Sequence, residues 1–240
     1  EGGKNFYGGS LQVHYLIKEL HKMGVNNTLL CPSLSDLAKK TSPYAKIKTI
    51  KMHSDLDLNL LLKIIRIFKA EKPDIVHLHS RRIAEFTGGI AAKICGTPSI
   101  LTRRVDNKEL FFIAKPKYML YDHIITISDA IKKVLVHQGV SHNKISCIKS
   151  AVDSDLFLGD INKISFRKKN NLATDSFLVG MIAQFIPRKG HAFIINIVND
   201  LLTDYKNLHI FFYGQGPLSK KMKKIVFDLG IHDHFHFMGF

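Results

Sequence analysis

The 240-residue chain contains few cysteines and no hydrophobic segment of membrane-spanning length. Cys31, Cys95 and Cys147 lie far apart, form no C-x-x-C motif and cannot all pair, which disfavours a disulfide framework or a zinc site. We therefore expect structural thiols and a reducing compartment. No apolar run approaches the roughly 20 residues that span a bilayer, and no signal-peptide pattern opens the sequence. Together these features predict a cytoplasmic protein.

Acidic residues are also scarce relative to basic ones. The chain has 35 Lys+Arg against 20 Asp+Glu, a formal net charge of +15. Residues 1–150 carry 24 of the basic and 12 of the acidic residues, so the first half is the more basic one. Such a charge attracts anionic partners, which include nucleotides, acidic lipids and nucleic acids. A hydrophobic fraction of 45% excludes a disordered chain.

Short β-branched segments alternate with segments of helical periodicity, which is typical of βαβ units. In the first half this pattern predicts strands at residues 27–31, 46–51, 74–79, 98–102, 123–127 and 145–149, and helices at 10–23, 58–71, 82–95 and 128–138. A polar stretch at residues 151–172 is predicted to be a linker. The alternation then restarts with strands at 177–183, 208–213 and 234–238 and helices at 190–203 and 217–229.

The predicted fold class is therefore α/β, with two Rossmann-like, doubly wound parallel-sheet domains at residues 1–150 and 173–240. No strand precedes the glycine-rich opening, although such an opening normally follows one in a nucleotide-binding fold. The second domain stops after three strands, fewer than a stable separate sheet with helices on both faces needs. We expect the first strand of the first domain to be missing and the second domain to be incomplete.

Glycines and charged residues lie at two predicted junctions of the first half. Gly8 and Gly9 lead directly into a helix, where backbone N–H groups bind an anion or a sugar hydroxyl, although a glycine turn without a ligand explains them equally well. Arg103, Arg104 and Asp106 follow a strand. Two arginines at the carboxyl end of a strand hold a phosphate or carboxylate, and the alternative is ordinary surface charge.

Histidines alternate along two predicted strands. His77 and His79 share one strand face, and His79, nearer the carboxyl end, is expected to reach a ligand while His77 stays in the sheet. A metal pair is disfavoured, because no third ligand lies nearby in the sequence, and two hydrogen-bonded histidines remain an alternative. For His232, His234 and His236 we favour a strand surface over a metal site.

The strongest local signal is the segment MIAQFIPRKGH at residues 181–191. It places Arg188, Lys189 and Gly190 directly before a helix, which predicts an anion site. A helix N-terminus contributes about 0.3–1 kcal/mol to phosphate binding. A lysine at ~4 Å contributes about 4 kcal/mol at an effective dielectric constant of ~20. Lysine is therefore expected to dominate. Gly214 and Gly216 follow the next strand, where they contact a base or ribose or serve only a tight turn.

Several motifs, read in order, resemble one enzyme family. They are the Gly8–Gly9 pair, PDIVHLHS, TRRVD, ISDAIKKVLVHQGV, KISCIKSAVDSDLF, IPRKG, and GQGPL with LGIHDHFHFMGF. In this order, and over nearly the whole chain, they are similar to family 4 of the retaining glycosyltransferases (group 1 glycosyltransferases, GT-B fold). The resemblance implies an acceptor bound mainly by the first domain and a nucleotide-diphospho-sugar donor bound mainly by the second. It implies no metal and no further cofactor.

The resemblance also assigns roles to residues. Gly8 and Gly9 match the glycine pair of the family, His79 its active-site histidine, and Lys189 the lysine that binds the donor diphosphate. His79 and Lys189 are thus the catalytic candidates, with Arg103, Arg104 and Asp106 on the acceptor side.

The chain departs from the family at two places. Many members have Gly-Arg where this sequence has Ala183 and Gln184, so either Gln184 or Arg188 is expected to make the second diphosphate contact. The acidic E-x7-E region of the family would lie beyond Phe240, and we therefore expect the isolated chain to be inactive.

The resulting interpretation is a fragment of a glycosyltransferase for lipopolysaccharide or another cell-envelope polysaccharide, cytoplasmic and peripheral at the inner membrane face. Lys63, Arg66 and Lys69 on helix 58–71 form a solvated basic stripe or, alternatively, a surface for an anionic membrane. A nucleotide-sugar 2-epimerase of the same fold is an alternative function. A basic nucleic-acid-binding module is another, but the lysines are dispersed along helices rather than interleaved with aromatics.

Overall fold

The computed structural model describes residues 6, 8–50, 58–79, 83–157, 159 and 163–240. The chain divides into two compact units, Glu1–Phe157 and Leu158–Phe240. Each unit has its own parallel sheets and its own hydrophobic core. The units are therefore described separately.

The first unit alternates strands and helices. Its helices are α1 (Gly8–Lys22), α2 (Asp36–Thr41), α3 (Leu58–Glu71), α4 (Ile83–Cys95), α5 (Phe111–Met119) and α6 (Asp129–His137). Its strands are β1 (Thr28–Pro32), β2 (Lys46–Ile50), β3 (Val76–Leu78), β4 (Ser99–Arg103), β5 (His123–Thr126) and β6 (Ile145–Cys147).

All strand pairs of the first unit are parallel. Strand β1 pairs with β2, and β3, β4, β5 and β6 form a four-stranded sheet in that order. Along β1, Leu29 and Cys31 pack with α1 and α2, whereas Leu30 packs with α3. Because strand side chains alternate between faces, helices cover both faces of this sheet. On the four-stranded sheet, α5 and α6 cover the central strands.

The second unit consists of helices and one three-stranded parallel sheet in the order β7-β8-β9. Its elements are α7 (Lys163–Lys169), β7 (Phe177–Ile182), α8 (His191–Leu201), β8 (Leu208–Tyr213), α9 (Ser219–Asp228) and β9 (Phe235–Gly239). The core joins Ile195 of α8, Phe212 of β8 and Met222 of α9, all 2% exposed or less. The predicted α/β class with parallel sheets is confirmed.

Helix boundaries follow local chemistry. Ser128 caps α6, since its hydroxyl accepts a hydrogen bond from the Ile131 N–H at 3.3 Å. Gly24 adopts a φ of +81° just after α1. Three helices were not predicted from the sequence. Helices α2 and α7 have only six and seven residues, too few for a periodic signal, and α5 contains Pro116.

The predicted linker at residues 151–172 is too long. At its beginning, the Gln12 side chain donates to the Ala151 carbonyl at 2.6 Å and accepts from the Ala151 N–H at 2.8 Å. These bonds tie the segment to α1. At its end lies α7, whose Phe166 ring contacts Phe211 of β8 with centroids 5.2 Å apart. Both ends of the polar stretch are thus held by side-chain contacts to residues distant in sequence.

Candidate functional site

The loop between β7 and α8 presents two cations to solvent. Pro187–Lys189 form one turn of 3-10 helix, Gly190 follows with a left-handed φ of +76°, and α8 begins at His191. Arg188 and Lys189 are exposed, and no ion pair among the described residues involves either. Gly190 gives α8 no side-chain cap, so N–H groups of its first turn remain available to an anion.

A buried stack of rings anchors this loop. Phe185 is 1% exposed, and the imidazole of His191, 2% exposed, stacks on it with ring centroids 4.1 Å apart. Neither ring nitrogen of His191 has a hydrogen-bond partner among the described residues. Burial lowers the pKa of His191, so the ring is neutral at pH 7. His191 was not among the site residues predicted from the sequence, because a histidine at the start of a helix belongs to no motif.

The glycines after β8 have a structural reason. Gly214 has a φ of +144°, and a Cβ there would collide with the carbonyl oxygen of Ala183. A Cβ at Gly216 would lie 2.6 Å from the carbonyl oxygen of Phe185. Only glycines allow the β8–α9 turn to approach the β7–α8 loop this closely. The turn thus supports the loop that carries Gln184, Arg188 and Lys189, and the tight-turn interpretation accounts for both glycines.

In the first unit, His77 of β3 and His79, the residue directly after this strand, lie on one face, as predicted. Their ring centroids are 3.8 Å apart. A contact of 2.7 Å joins His77 Nε2 to the Thr102 hydroxyl on β4, which holds His77 in the sheet. His79 Nδ1 has no hydrogen-bond partner among the described residues. Burial, His77 and Arg104 keep the pKa of His79 well below its ordinary range, so its ring is neutral.

Arg104 connects two of the predicted site segments. A Cβ at Gly9 would lie 3.8 Å from the Arg104 Cδ, so the arginine stem passes beside the start of α1. The positive charge of Arg104 is also close enough to His77 and His79 to lower the pKa of both. The structure therefore brings Gly9, His79 and Arg104 together at the carboxyl ends of β3 and β4.

Arg103 has a different role from the one predicted. Its side chain is buried, and its guanidinium donates to a Glu109 carboxylate oxygen at 3.2 Å and to the Asn107 carbonyl at 2.8 Å. Because these partners occupy the guanidinium, Arg103 is not a free anion ligand. Successive residues of a strand point to opposite faces, which separates Arg103 from Arg104. Asp106 lies in the exposed loop that follows.

In the second unit, His209, His234 and His236 form a ring cluster. His209 Nδ1 lies 3.2 Å from His236 Nε2, and His236 stacks on Phe211 with centroids 4.3 Å apart. His234 Nδ1 is bonded to the Leu208 carbonyl at 2.9 Å. In the part of the chain that the structure describes, no group of three or more His, Cys, Asp or Glu is arranged to hold a metal ion.

Comparison with known proteins defines the family of this chain. The profile described as Glycosyltransferase Family 4 matches residues 7–156, and that described as Glycosyl transferases group 1 matches residues 162–240. The chain belongs to glycosyltransferase family 4. The family profile ends one residue before the boundary between the two compact units at Phe157.

Two curated relatives of this family 4 chain are glycosyltransferases by name. The UDP-Gal:alpha-D-GlcNAc-diphosphoundecaprenol alpha-1,3-galactosyltransferase of Escherichia coli is 28% identical over 189 residues, which are 70% of this chain and 47% of the relative. The capsular polysaccharide biosynthesis glycosyltransferase CapM of Staphylococcus aureus is 27% identical over 165 residues, which are 62% of this chain and 41% of the relative. The chain thus spans less than half the length of these relatives.

A solved structure confirms the fold. Anabaena Alr3699/HepE, crystallised in complex with UDP, aligns with a TM-score of 0.83 and 16% identity over 100% of this chain and 67% of its own. At this identity the likeness establishes the GT-B fold alone. The membership in the family, predicted from the motifs, is confirmed. None of the helices in the described ranges combines the length and the hydrophobicity needed to cross a membrane.

Proposed function

We propose that this chain supplies the donor and acceptor sites of a retaining glycosyltransferase that moves a sugar from a nucleotide-diphospho-sugar to a lipid-linked glycan in cell-envelope polysaccharide synthesis. The observation that carries the proposal is the exposed pair Arg188 and Lys189 directly before α8, without counter-charge among the described residues. The names of the Escherichia coli and Staphylococcus aureus relatives support the class of donor and acceptor.

The chemistry requires fixed positive charge more than acid–base groups. The bond between the anomeric carbon and the diphosphate oxygen breaks, and its electron pair stays on that oxygen. The acceptor hydroxyl forms the new bond on the same face, and its proton passes to the departing diphosphate. Lys189, Arg188 and the first-turn N–H groups of α8 stabilise the negative charge that develops on the departing diphosphate. No metal is required for this step in the proposed scheme.

The first unit would hold the acceptor and the transferred sugar. The neutral His79 imidazole offers one donor and one acceptor, which suits a sugar hydroxyl rather than nucleophilic attack. Arg104, beside Gly9, supplies a positive charge for an acidic group of the acceptor. Asp106 and Gly8 lie in the adjacent loop and at the start of α1.

The test is titration of the 240-residue chain with UDP, GDP and ADP by calorimetry. We expect one nucleotide to bind, and Lys189→Ala to weaken it at least tenfold. In an assay of sugar transfer by the complete enzyme, of which we expect this chain to be a part, Lys189→Ala should lower turnover by about 10²–10³. Lys206→Ala, an exposed lysine of the same unit, is the control and should change neither. Failure to bind any nucleoside diphosphate would refute the donor site.

The same assay separates the epimerase alternative. Sugar transfer to an added acceptor supports the proposed function. Conversion of the nucleotide-sugar to its 2-epimer in the absence of an acceptor would contradict it.

A further inference from the structure

Helix α5 buries one charged residue, Lys117, and exposes large apolar residues. Ala114, Lys117 and Tyr118 are 5% exposed or less. On the opposite side, Phe112 is 72% exposed and Met119 65%. Exposed side chains at positions 112, 115, 116 and 119 share one helix face, because they are spaced by three, four and seven residues.

A buried ionic network explains this orientation. Lys117 forms an ion pair with Glu85 of α4 and contacts Glu109 at 2.8 Å, while Arg103 of β4 reaches the same Glu109 oxygen at 3.2 Å. The Gln138 side chain donates to the Glu109 backbone carbonyl. These bonds attach the inner side of α5 to the sheet and to α4 and α6. Because these contacts already hold α5 in place, the fold does not require the outer side of this helix to be buried.

The exposed residues of α5 and of the short segment directly before it combine apolar and cationic side chains, and we call this set the α5 face. It consists of Leu110, Phe112, Ile113 and Met119, all 45% exposed or more, together with the exposed lysines Lys108 and Lys115. The acidic residue of this stretch, Glu109, is bound inward by Arg103 and Lys117. No ion pair among the described residues involves Lys108 or Lys115. The exposed charge of the patch is therefore positive.

We propose that the α5 face docks the protein on the headgroup region of an anionic lipid bilayer. Apolar side chains flanked by lysines match such a surface, because the former enter the acyl boundary while the latter contact acidic headgroups. Residues 1–150 carry twice as many basic as acidic residues, so long-range attraction acts in the same direction. This proposal rests on the lipid-linked acceptor proposed above, which resides in a membrane.

The α5 face differs from the basic stripe of α3 considered in the sequence analysis. Helix α3 exposes Leu58 and Leu62, but most of its hydrophobic residues pack in the core with Ile50 and Ala91. Lys63, Arg66 and Lys69 lie on its exposed side. This helix fits the interpretation of a core-packing element with a solvated face.

The experiment is co-sedimentation of the 240-residue chain with vesicles, either of phosphatidylglycerol mixed with phosphatidylethanolamine or of phosphatidylcholine alone. We expect binding to the anionic vesicles that weakens in high salt. The double variant Phe112→Ser/Met119→Ser should bind at least tenfold more weakly, because each side chain buries a large apolar area. Lys115→Glu should weaken binding to the anionic vesicles by about tenfold or more.

Phe227→Ser on α9 is the matched control. Phe227 is 70% exposed, close to the exposure of Phe112, and lies near Lys223 and Lys224 in the sequence. The Phe227→Ser variant should bind vesicles as strongly as the wild type. Thermal unfolding of each variant verifies that it is folded. If the double variant is not folded, Ile113→Ser provides a second test of the α5 face.

Three results would overturn the proposal. The wild-type chain does not bind anionic vesicles, the folded α5 variants bind them as well as the wild type does, or Phe227→Ser loses as much binding as the α5 variants do. Sedimentation velocity tests whether a second copy of the chain covers the α5 face instead. If the wild-type chain is a dimer, and Phe112→Ser dissociates it without affecting vesicle binding, the α5 face is a dimer interface. The vesicles contain no nucleotide, so nucleotide titration of the same samples reports separately on the proposed function.

Discussion

The imidazole of His191 stacks on the phenyl ring of Phe185 with the two planes inclined by 22°. Phe185 lies in the loop after β7, and His191 is the first residue of α8. The stack therefore closes the base of the loop that exposes Arg188 and Lys189. The stack requires a neutral imidazole, because His191 is buried and no described group would compensate a charge on its ring.

We predict that protonation of His191 destabilises the second unit. Burial lowers the pKa of the folded-state ring below its ordinary value of 6.5, so the unfolded chain binds more protons as the pH falls. The stabilisation is complete above about pH 6.5 and is lost toward the folded-state pKa. His191→Phe should match or exceed the wild-type stability at pH 7.5, and its advantage should grow at pH 5.

Urea unfolding at both pH values measures this difference. His209 and His236, whose pKa values are also lowered by burial, remain in both proteins, so the comparison isolates His191. His232→Phe, at an exposed position, serves as the control. An advantage of His191→Phe that does not depend on pH would contradict the assignment.

Gly214→Ala should destabilise the second unit by about 1–3 kcal/mol. The added Cβ meets the Ala183 carbonyl, and the φ of +144° disfavours any side chain. Gly180→Ala on β7 is the matched control, because nothing lies within 4 Å of its Cβ position. Thermal unfolding of the two variants gives the comparison, and equal midpoints would show that the loops do not need the close approach.

Lys117→Met should lower the free energy of unfolding of the first unit by about 3–5 kcal/mol. Removing the ammonium leaves the buried carboxylate of Glu85 without its ion pair. Burial already raises the pKa of Glu85, so part of the loss should be recovered at acid pH, where the carboxyl becomes protonated. Lys133→Met on the exposed side of α6 should have no effect in the same denaturant titration.

In the complete enzyme, His79→Ala should leave nucleotide affinity unchanged and lower sugar transfer by about 10–10², the effect expected for one hydrogen bond in a buried site. Calorimetry and initial rates with a lipid-linked acceptor separate these two quantities. His142→Ala, an exposed histidine of the same unit, is the control. Normal acceptor affinity together with normal turnover in His79→Ala would exclude the proposed contact to a sugar or acceptor.

Local patterns in the sequence were sufficient for much of the fold. The alternation of hydrophobic residues predicted nine strands, and each corresponds to a parallel strand within three residues at its ends. The shared face of His77 and His79 followed from the period of a strand. The short helices α2 and α7 and the proline-containing α5 were missed, because none of them has a regular amphipathic pattern long enough to detect.

The sequence by itself determined the order of the strands and of six helices, and the position of Arg188 and Lys189 before a helix, since each depends on residues close together in the chain. It also determined the family, because the matching motifs follow one another in order along nearly the whole chain. The tertiary structure decided which arginine of the TRR segment is buried, that His191 lies beneath a loop, and which side of α5 faces solvent. These outcomes depend on partners such as Glu85 and Lys117, 32 positions apart, and only folding brings such residues within bonding distance.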